Sequence, residues 1–137
     1  MKPVLIDTGC IVALLDRSER YHRHCRMIVE EITAPLVTCE AAIAESCYLL
    51  RSIPAAVDAI LANVESGIFQ LPFHLTSATA EVRRVIKRYR NIGADLADAC
   101  LVCLATEFQT PNILTLDKDF KVYRWGKNRP FENLLGL

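Results

Sequence analysis

The chain has 137 residues, of which 52% are hydrophobic and 23% are charged, and its 16 basic residues balance 16 acidic ones. This composition is that of a globular domain and excludes an intrinsically disordered chain. A balanced charge also argues against a protein that binds nucleic acid over its whole surface. We therefore expect a single domain over residues 1–137.

The sequence contains no long apolar run that would indicate a signal peptide or a membrane span, so we expect a cytoplasmic protein. Its six cysteines lie mostly within apolar segments, where a cytosolic protein uses them as small buried hydrophobic residues. Cys100 and Cys103 have the CxxC spacing of metal and redox sites, but no second CxxC accompanies them. We therefore expect this pair to pack in the core.

The first predicted element ends in an acidic residue. Val4, Leu5 and Ile6 form an apolar run that is typical of a short strand buried on both faces. Asp7 follows this strand, and Thr8 is expected to cap the helix that begins there. Asp7 would then lie at the carboxyl end of a strand, where open α/β sheets bind ligands. An Asp at this position can also be a simple turn or capping residue.

Helices and strands alternate through the rest of the chain. Apolar periodicity predicts further helices over about 19–32, 39–50, 54–65, 76–91 and 95–105. Short strands are predicted over 36–38, 68–71 and 113–116. Glu45 stands among small and apolar residues without a basic partner one helical turn away, so it faces either solvent or a charged site. The alternation of strands and helices indicates a parallel α/β sheet.

Two later carboxylates, Asp98 and Asp117, also stand beside apolar segments, as Asp7 does. Asp95 can cap the helix that follows it, whereas Asp98 lies three residues into that helix. The helix is apolar nearly all round and is therefore expected to be buried. A buried carboxylate is costly unless it is paired, hydrogen-bonded or bound to a cation. Asp117 directly follows the strand predicted over 113–116, which is thus the second strand to end in an acidic residue.

Four carboxylates are therefore expected to meet at the carboxyl edge of the sheet, namely Asp7, Glu45, Asp98 and Asp117. Their repulsion would raise some of their pKa values unless a cation neutralised them. Oxygen ligands without histidine or thiolate partners suit Mg²⁺ or Mn²⁺. A water bound to such an ion can attack a phosphodiester while the ion stabilises charge on the phosphate.

At these positions the sequence resembles a known family. Four segments carry the likeness: VLIDTG at the start, AAIAES around Glu45, LADACLVCLA around Asp98 and TLDKDF around Asp117. Together they are similar to PIN-domain proteins, and more closely to the small VapC-type toxins of prokaryotic toxin–antitoxin pairs. The likeness runs from Lys2 to about Tyr123. It implies a three-layer α/β/α Rossmann-like fold with a central parallel sheet.

The resemblance also implies an activity. Such a protein is an Mg²⁺-dependent endoribonuclease that is inhibited by a cognate antitoxin. It is usually a homodimer. Asp7, Glu45, Asp98 and Asp117 match the acidic quartet, with Asp7 and Asp98 as the direct metal ligands. In this interpretation Glu45 helps to hold or deprotonate the attacking water. Cys10 departs from the family, in which Pro often follows the Asp-Thr-Gly, and we expect it to alter the entry into the helix and not the chemistry.

Further residues are expected to assist this site. Supporting roles are implied for Thr8, Asp95, Thr115 and Asp119. The RNA phosphates that flank the cleavage site are expected to contact basic residues in two places. One is the tail after residue 117, and the other is the 76–91 helix, with Arg83, Arg84, Lys87 and Arg88. The simpler interpretation of these basic residues is a solvated helix face. Apolar faces of the second and fourth helices would serve dimerisation or antitoxin binding.

One alternative remains open in which the protein is not an enzyme. It is a PIN-fold module that binds RNA or protein without cleaving RNA. All four acidic positions are filled, which argues against a decayed site but does not establish turnover. A phosphatase of the haloacid-dehalogenase type also places Asp after the first strand. It needs a second Asp two residues later, where this chain has Gly9.

Overall fold

The computed structural model describes residues 1–137. Its strands are β1 (Val4–Ile6), β2 (Leu36–Val37), β3 (Phe69–Gln70), β4 (Asn112–Leu114), β5 (Arg124–Trp125), β6 (Arg129–Pro130) and β7 (Glu132–Asn133). Five of them form a parallel sheet in the order β3-β2-β1-β4-β7, and β5 and β6 form a separate antiparallel hairpin. The predicted parallel α/β sheet is therefore confirmed.

Six helices cover the two faces of this sheet. They are α1 (Thr8–Leu15), α2 (His22–Glu31), α3 (Glu40–Leu49), α4 (Pro54–Glu65), α5 (Leu75–Arg88) and α6 (Leu96–Phe108). Neighbouring residues of one strand enter different cores, because strand side chains alternate between faces. Val4 and Ile6 pack with residues of α1, α2 and α4, whereas Leu5 packs with residues of α5 and α6. This arrangement confirms the three-layer prediction.

The strand order reverses beside β1. β1 pairs with β2 on one side and with β4 on the other, so the chain crosses the central strand between β3 and β4. Open α/β sheets bind ligands outside the carboxyl ends of the strands at such a point. Asp7 directly follows β1 and Asp117 lies three residues after β4, so both carboxylates are placed there.

The helix cap predicted at Thr8 is wrong, and the alternative that Asp7 is a capping residue is confirmed. Thr8 does not cap α1, because Asp7 is the N-cap and its carboxylate accepts a hydrogen bond from the Thr8 N–H at 2.7 Å. Thr8 is instead the first helical residue. Helix α5 begins at Leu75, close to the predicted residue 76, and its N-cap is His74. The Ser77 hydroxyl donates to the carbonyl of His74 and caps no backbone N–H.

The cysteines are all free thiols, and all but the half-buried Cys47 are buried. Cys100 and Cys103 belong to the core between α6 and the sheet, which confirms the expected packing role of the CxxC pair. None of the helices combines the length and the apolar character needed to cross a membrane.

Candidate metal centre

Three carboxylates from distant parts of the chain meet at the carboxyl edge of the sheet. Asp7, Asp98 and Asp117 each place one carboxylate oxygen within 4.8 Å of the other two. Asp7 follows β1, Asp98 lies in the first turn of α6, and Asp117 follows β4. Asp7 and Asp98 are buried and Asp117 is half-buried. The convergence expected from the sequence is therefore present for these three residues.

The three carboxylates open into a cleft of about 350 Å³. Glu45 on α3 and Asp95 before α6 also line this cleft. Glu19, from the turn between α1 and α2, is a further acidic residue in its wall and was not singled out by the sequence. The cleft thus has six acidic residues and no lysine or arginine. Such a set of like charges requires a cation or bound protons to offset its repulsion.

Asp7 is fixed by two hydrogen bonds. Besides the bond from the Thr8 N–H, its second oxygen accepts from the Thr115 hydroxyl at 2.8 Å. That hydroxyl also accepts from the backbone N–H of Asp117 at 2.9 Å, so Thr115 joins the two strand ends. Burial raises the pKa of Asp7 from 3.8 to about 6, and the negative charges of Asp117 and Glu45 add to the effect.

Asp98 is fixed from two sides. It forms a capping box with Asp95, in which the Asp98 N–H donates to the Asp95 carboxylate at 2.9 Å. The hydroxyl of Tyr123 donates to Asp98 Oδ2 at 3.0 Å. The buried Tyr123 ring packs edge-on against Tyr89 and Phe120, with ring centroids 4.9 Å apart in both pairs. Burial and the neighbouring Asp95 raise the pKa of Asp98 to about 7.

The remaining predicted acidic residues differ in their placement. Glu45 is on the exposed side of α3 and lies outside the compact group of three oxygens. Partial burial raises its pKa, with Asp95 and then Asp117 contributing. The Asp119 side chain does not line the cleft. Its backbone N–H donates to Asp117 Oδ1 at 2.9 Å, which holds that carboxylate in place.

The donor set fits a hard divalent cation. Carboxylate oxygens are the ligands that Mg²⁺ and Mn²⁺ prefer, and no thiol or imidazole lines the cleft. In addition, the hydroxyl of Thr8 is buried in the cleft wall without a hydrogen-bond partner. A buried polar group left unpaired costs about 1–3 kcal/mol. A hydrated cation in this cleft would offer that hydroxyl a partner.

The four predicted RNA-contacting residues do not line the acidic cleft. Helix α5, which carries them, packs along α6. Arg84 and Arg88 line a separate groove together with Val102 of α6. Arg84 pairs with Glu81, and Arg88 donates to the side-chain carbonyl of Asn128 at 3.0 Å. Contact with phosphates therefore stays a prediction for Arg83, Arg84, Lys87 and Arg88.

The buried carboxylates predict that the metal-free protein loses stability as the pH rises from about 4 to 7. Between 3.8 and about 6, Asp7 is protonated in the folded chain and ionised in the unfolded chain. The native state therefore binds more protons, and the free energy of unfolding falls as pH increases. For Asp7 alone the loss is about 3 kcal/mol, or about 10 °C in Tm for a chain of this size. About half of this loss, roughly 1.4 kcal/mol or about 5 °C, falls between pH 5 and pH 8, because the unfolded carboxyl is already ionised at pH 5. Thermal denaturation in EDTA at pH 5 and pH 8 measures this part.

The variant Asp7→Asn is the control for this pH dependence. The amide does not titrate, so the difference in Tm between pH 5 and pH 8 should shrink by most of the Asp7 contribution. Added Mg²⁺ should stabilise the wild-type protein more at pH 8 than at pH 5, because ligands must be deprotonated to bind metal. An equal pH dependence in Asp7→Asn and wild type would contradict the assignment.

Comparison with known proteins agrees with this architecture. A family model described as PIN domain matches residues 4–126. The chain is 28% identical over 118 residues to the protein named Ribonuclease VapC26 of Mycobacterium tuberculosis, covering 84% of this chain and 87% of that protein. The crystal structure of Mycobacterium tuberculosis VapC20, described as a toxin that cleaves the sarcin–ricin loop, matches with a TM-score of 0.81 and 16% identity. It covers 93% of this chain and 99% of that chain, and this likeness supports the fold.

Proposed function

The chain belongs to the PIN-domain family, and on that premise we propose that it is an Mg²⁺-dependent endoribonuclease, the toxin of a type II toxin–antitoxin pair. The observation that carries the proposal is the convergence of three carboxylate oxygens within 4.8 Å of one another in a cleft without basic residues. The similarity to Ribonuclease VapC26 supports RNA as the substrate. Such a toxin would act in the cytoplasm, where it meets RNA.

In this proposal the buried carboxylates hold the metal. Asp7 and Asp98 would be the direct ligands, and Asp117 would hold a second metal ion or a metal-bound water. When bound, the divalent ion activates water and stabilises negative charge on the phosphate. Thr115 keeps Asp7 oriented and Tyr123 keeps Asp98 oriented through the hydrogen bonds described above. Both carboxylates have raised pKa values, so metal binding would release protons.

The proton of the attacking water goes to Glu45 in this mechanism. Glu45 lines the cleft but stands apart from the three clustered oxygens, as suits a base and not a ligand. Its raised pKa brings it closer to the operating pH, where a general base is most effective.

We assign the proposed antitoxin and dimer contacts to exposed apolar side chains of α2, α3 and α4. Met27 on α2 and Leu61 on α4 are 58% and 52% exposed, and Tyr48 and Leu49 at the end of α3 are 62% and 52% exposed. An amphipathic antitoxin helix is the kind of partner that such residues bind.

Cleavage of a mixed-sequence RNA by the purified protein tests the proposed function directly. We expect cleavage with Mg²⁺, none with EDTA, and recovery when Mg²⁺ is restored. RNA binding without cleavage in both Mg²⁺ and Mn²⁺ would instead favour the PIN-fold module that binds without cutting.

The hydrogen bond from Tyr123 to Asp98 makes a further prediction. Tyr123→Phe should raise the Mg²⁺ concentration for half-maximal cleavage by about 10–100-fold, as is usual when a partner of a metal ligand is lost. The ring remains to fill its buried position, so the fold should persist. Titration of cleavage against Mg²⁺, together with calorimetric Mg²⁺ binding, measures the effect.

The matched control for this variant is Tyr89→Phe. The Tyr89 hydroxyl accepts from the backbone N–H of Arg124 at 2.9 Å, and its ring packs against Tyr123, but the hydroxyl bonded to Asp98 is that of Tyr123. Tyr89→Phe should therefore leave the Mg²⁺ dependence unchanged. Equal shifts in the two variants would show that the effect is one of packing.

A further inference from the structure

A second cavity adjoins the acidic cleft. Leu116 and Asp117 line both, so the cavity begins where the metal centre ends. Its volume is about 120 Å³. At about 30 Å³ for each liquid water, that is room for roughly four waters. A single flat heteroaromatic ring fits such a space, whereas a folded RNA element does not.

The cavity wall combines aromatic rings with free cations. Tyr21, Phe120 and Phe131 contribute the rings, and the rings of Phe120 and Phe131 meet edge to face with centroids 5.3 Å apart. Lys118 and Lys121 stand at the same wall, are exposed, and form no ion pair within the chain. A ring surface beside unpaired ammonium groups is complementary to a nucleotide, because the base stacks and the phosphate meets positive charge.

The cavity is also joined rigidly to the metal centre. The side chain of Asn133, which lines the cavity, accepts from the Thr115 N–H at 3.3 Å and donates to the Thr115 carbonyl at 2.9 Å. The Thr115 hydroxyl in turn donates to Asp7. One hydrogen-bonded chain therefore connects the cavity wall to a proposed metal ligand and fixes the position of the wall relative to that ligand.

We propose that this cavity is a nucleobase subsite. It takes one unpaired base of the RNA, next to the phosphate at the metal centre, against the ring of Phe131 and with Lys118 and Lys121 at the nucleotide's phosphate. This inference rests on the proposed ribonuclease function, and it assigns to the cavity the choice of the nucleotide beside the cut.

Nuclear magnetic resonance titration of the metal-free protein tests the proposal without requiring cleavage. The probes are the four ribonucleoside 5′-monophosphates, with ribose 5-phosphate as the base-free control. We expect saturable shifts at the amides of Phe120, Lys121 and Phe131 with at least one nucleotide. Loss of a stacking ring usually weakens base binding at least about fivefold, so Phe131→Leu should raise the Kd by that factor.

Matched variants separate this effect from general damage. Phe108→Leu changes a half-exposed ring at the end of α6, outside the cavity, and should keep wild-type affinity. Lys121→Gln removes an exposed charge that the fold does not need and should also weaken nucleotide binding. Lys2→Gln, before β1 and thus at the amino edge of the sheet, should not.

Several outcomes would overturn the proposal. They are the absence of shifts with every nucleotide, equal affinity for ribose 5-phosphate, or unchanged affinity in both Phe131→Leu and Lys121→Gln. Shifts at the cavity that follow protein concentration alone would show that a second copy fills it. Nucleotide binding in the cavity of a protein that cuts no RNA would refute the proposed catalysis and leave the nucleotide site standing.

Discussion

Replacing Asp7 by Asn is expected to lower Mg²⁺-dependent RNA cleavage by roughly 10³-fold or more while the protein stays folded. A metal ion supplies several kcal/mol of transition-state stabilisation, and each 1.36 kcal/mol is a factor of about ten in rate. The Asn side chain keeps the size of Asp7 and an acceptor for the Thr8 N–H, but it carries no charge for the cation. The rate of cleavage by the purified variant in saturating Mg²⁺ measures the loss.

The matched control is Asp58→Asn on α4, which changes an exposed carboxylate outside the cleft. It should cleave like the wild type. In cells, Asp7→Asn should relieve growth arrest that the wild type and Asp58→Asn both cause. Full cleavage activity in a folded Asp7→Asn protein would refute the metal-centre assignment.

The same variant distinguishes the enzyme from a module that only binds. If the chain is a nuclease, Asp7→Asn should still bind RNA through residues outside the acidic cleft, and only cleavage should be lost. If the wild-type protein binds RNA and cuts none, and Asp7→Asn has the same affinity, the carboxylates have no catalytic part. The binding-module alternative would then stand.

Much of this site follows from local sequence signals. Apolar runs before Asp7 and Asp117 predict strands that end in carboxylates, and such ends meet at one edge of a parallel sheet. Asp98 stands out because it occupies an apolar helix that has to be buried. Those signals need no knowledge of tertiary contacts, so sequence reasoning could place the three carboxylates together.

Other residues of the site carry no such signal. Glu19 lines the cleft from a turn, Tyr123 reaches Asp98 across 25 positions, and Asn133 reaches Thr115 across 18. These contacts arise only when the chain has folded, because nothing in the neighbouring residues specifies them. The strands β5, β6 and β7 were missed because none of them contains an apolar run, whereas the equally short β2 and β3 lie in apolar segments.

The cap of α1 lies one residue earlier than the one predicted at Thr8. Asp is at least as good an N-cap as Thr, and the sequence allows Asp7 to be interpreted as the strand end or as a capping residue. In the structure Asp7 is at once the strand end, the N-cap and a member of the carboxylate cluster. The Thr8 hydroxyl is left buried without a partner, which is the kind of local violation expected at functional sites.

Glu45→Gln is expected to lower kcat by about 10²–10⁴-fold, which is the usual contribution of a general base. Because Glu45 lies outside the compact cluster of oxygens, the Mg²⁺ concentration for half-maximal cleavage should change little. This pattern is the opposite of that expected for Tyr123→Phe, where metal affinity changes. Single-turnover cleavage measured against both Mg²⁺ and pH distinguishes the two effects.

The pH profile supplies the sharper criterion for Glu45. A base has to be ionised to accept a proton, so in saturating Mg²⁺, which keeps Asp7 and Asp98 ionised, cleavage by the wild type should rise with pH through the raised pKa of Glu45. Glu45→Gln should lose that rising limb, whereas Glu40→Gln, at the start of the same helix and outside the cleft, should keep both the limb and the rate. If Glu45→Gln instead raised the Mg²⁺ requirement tenfold at unchanged kcat, Glu45 would be a ligand. The proton of the attacking water would then need another acceptor, and Glu19 and Asp95 are the remaining carboxylates in the cleft wall.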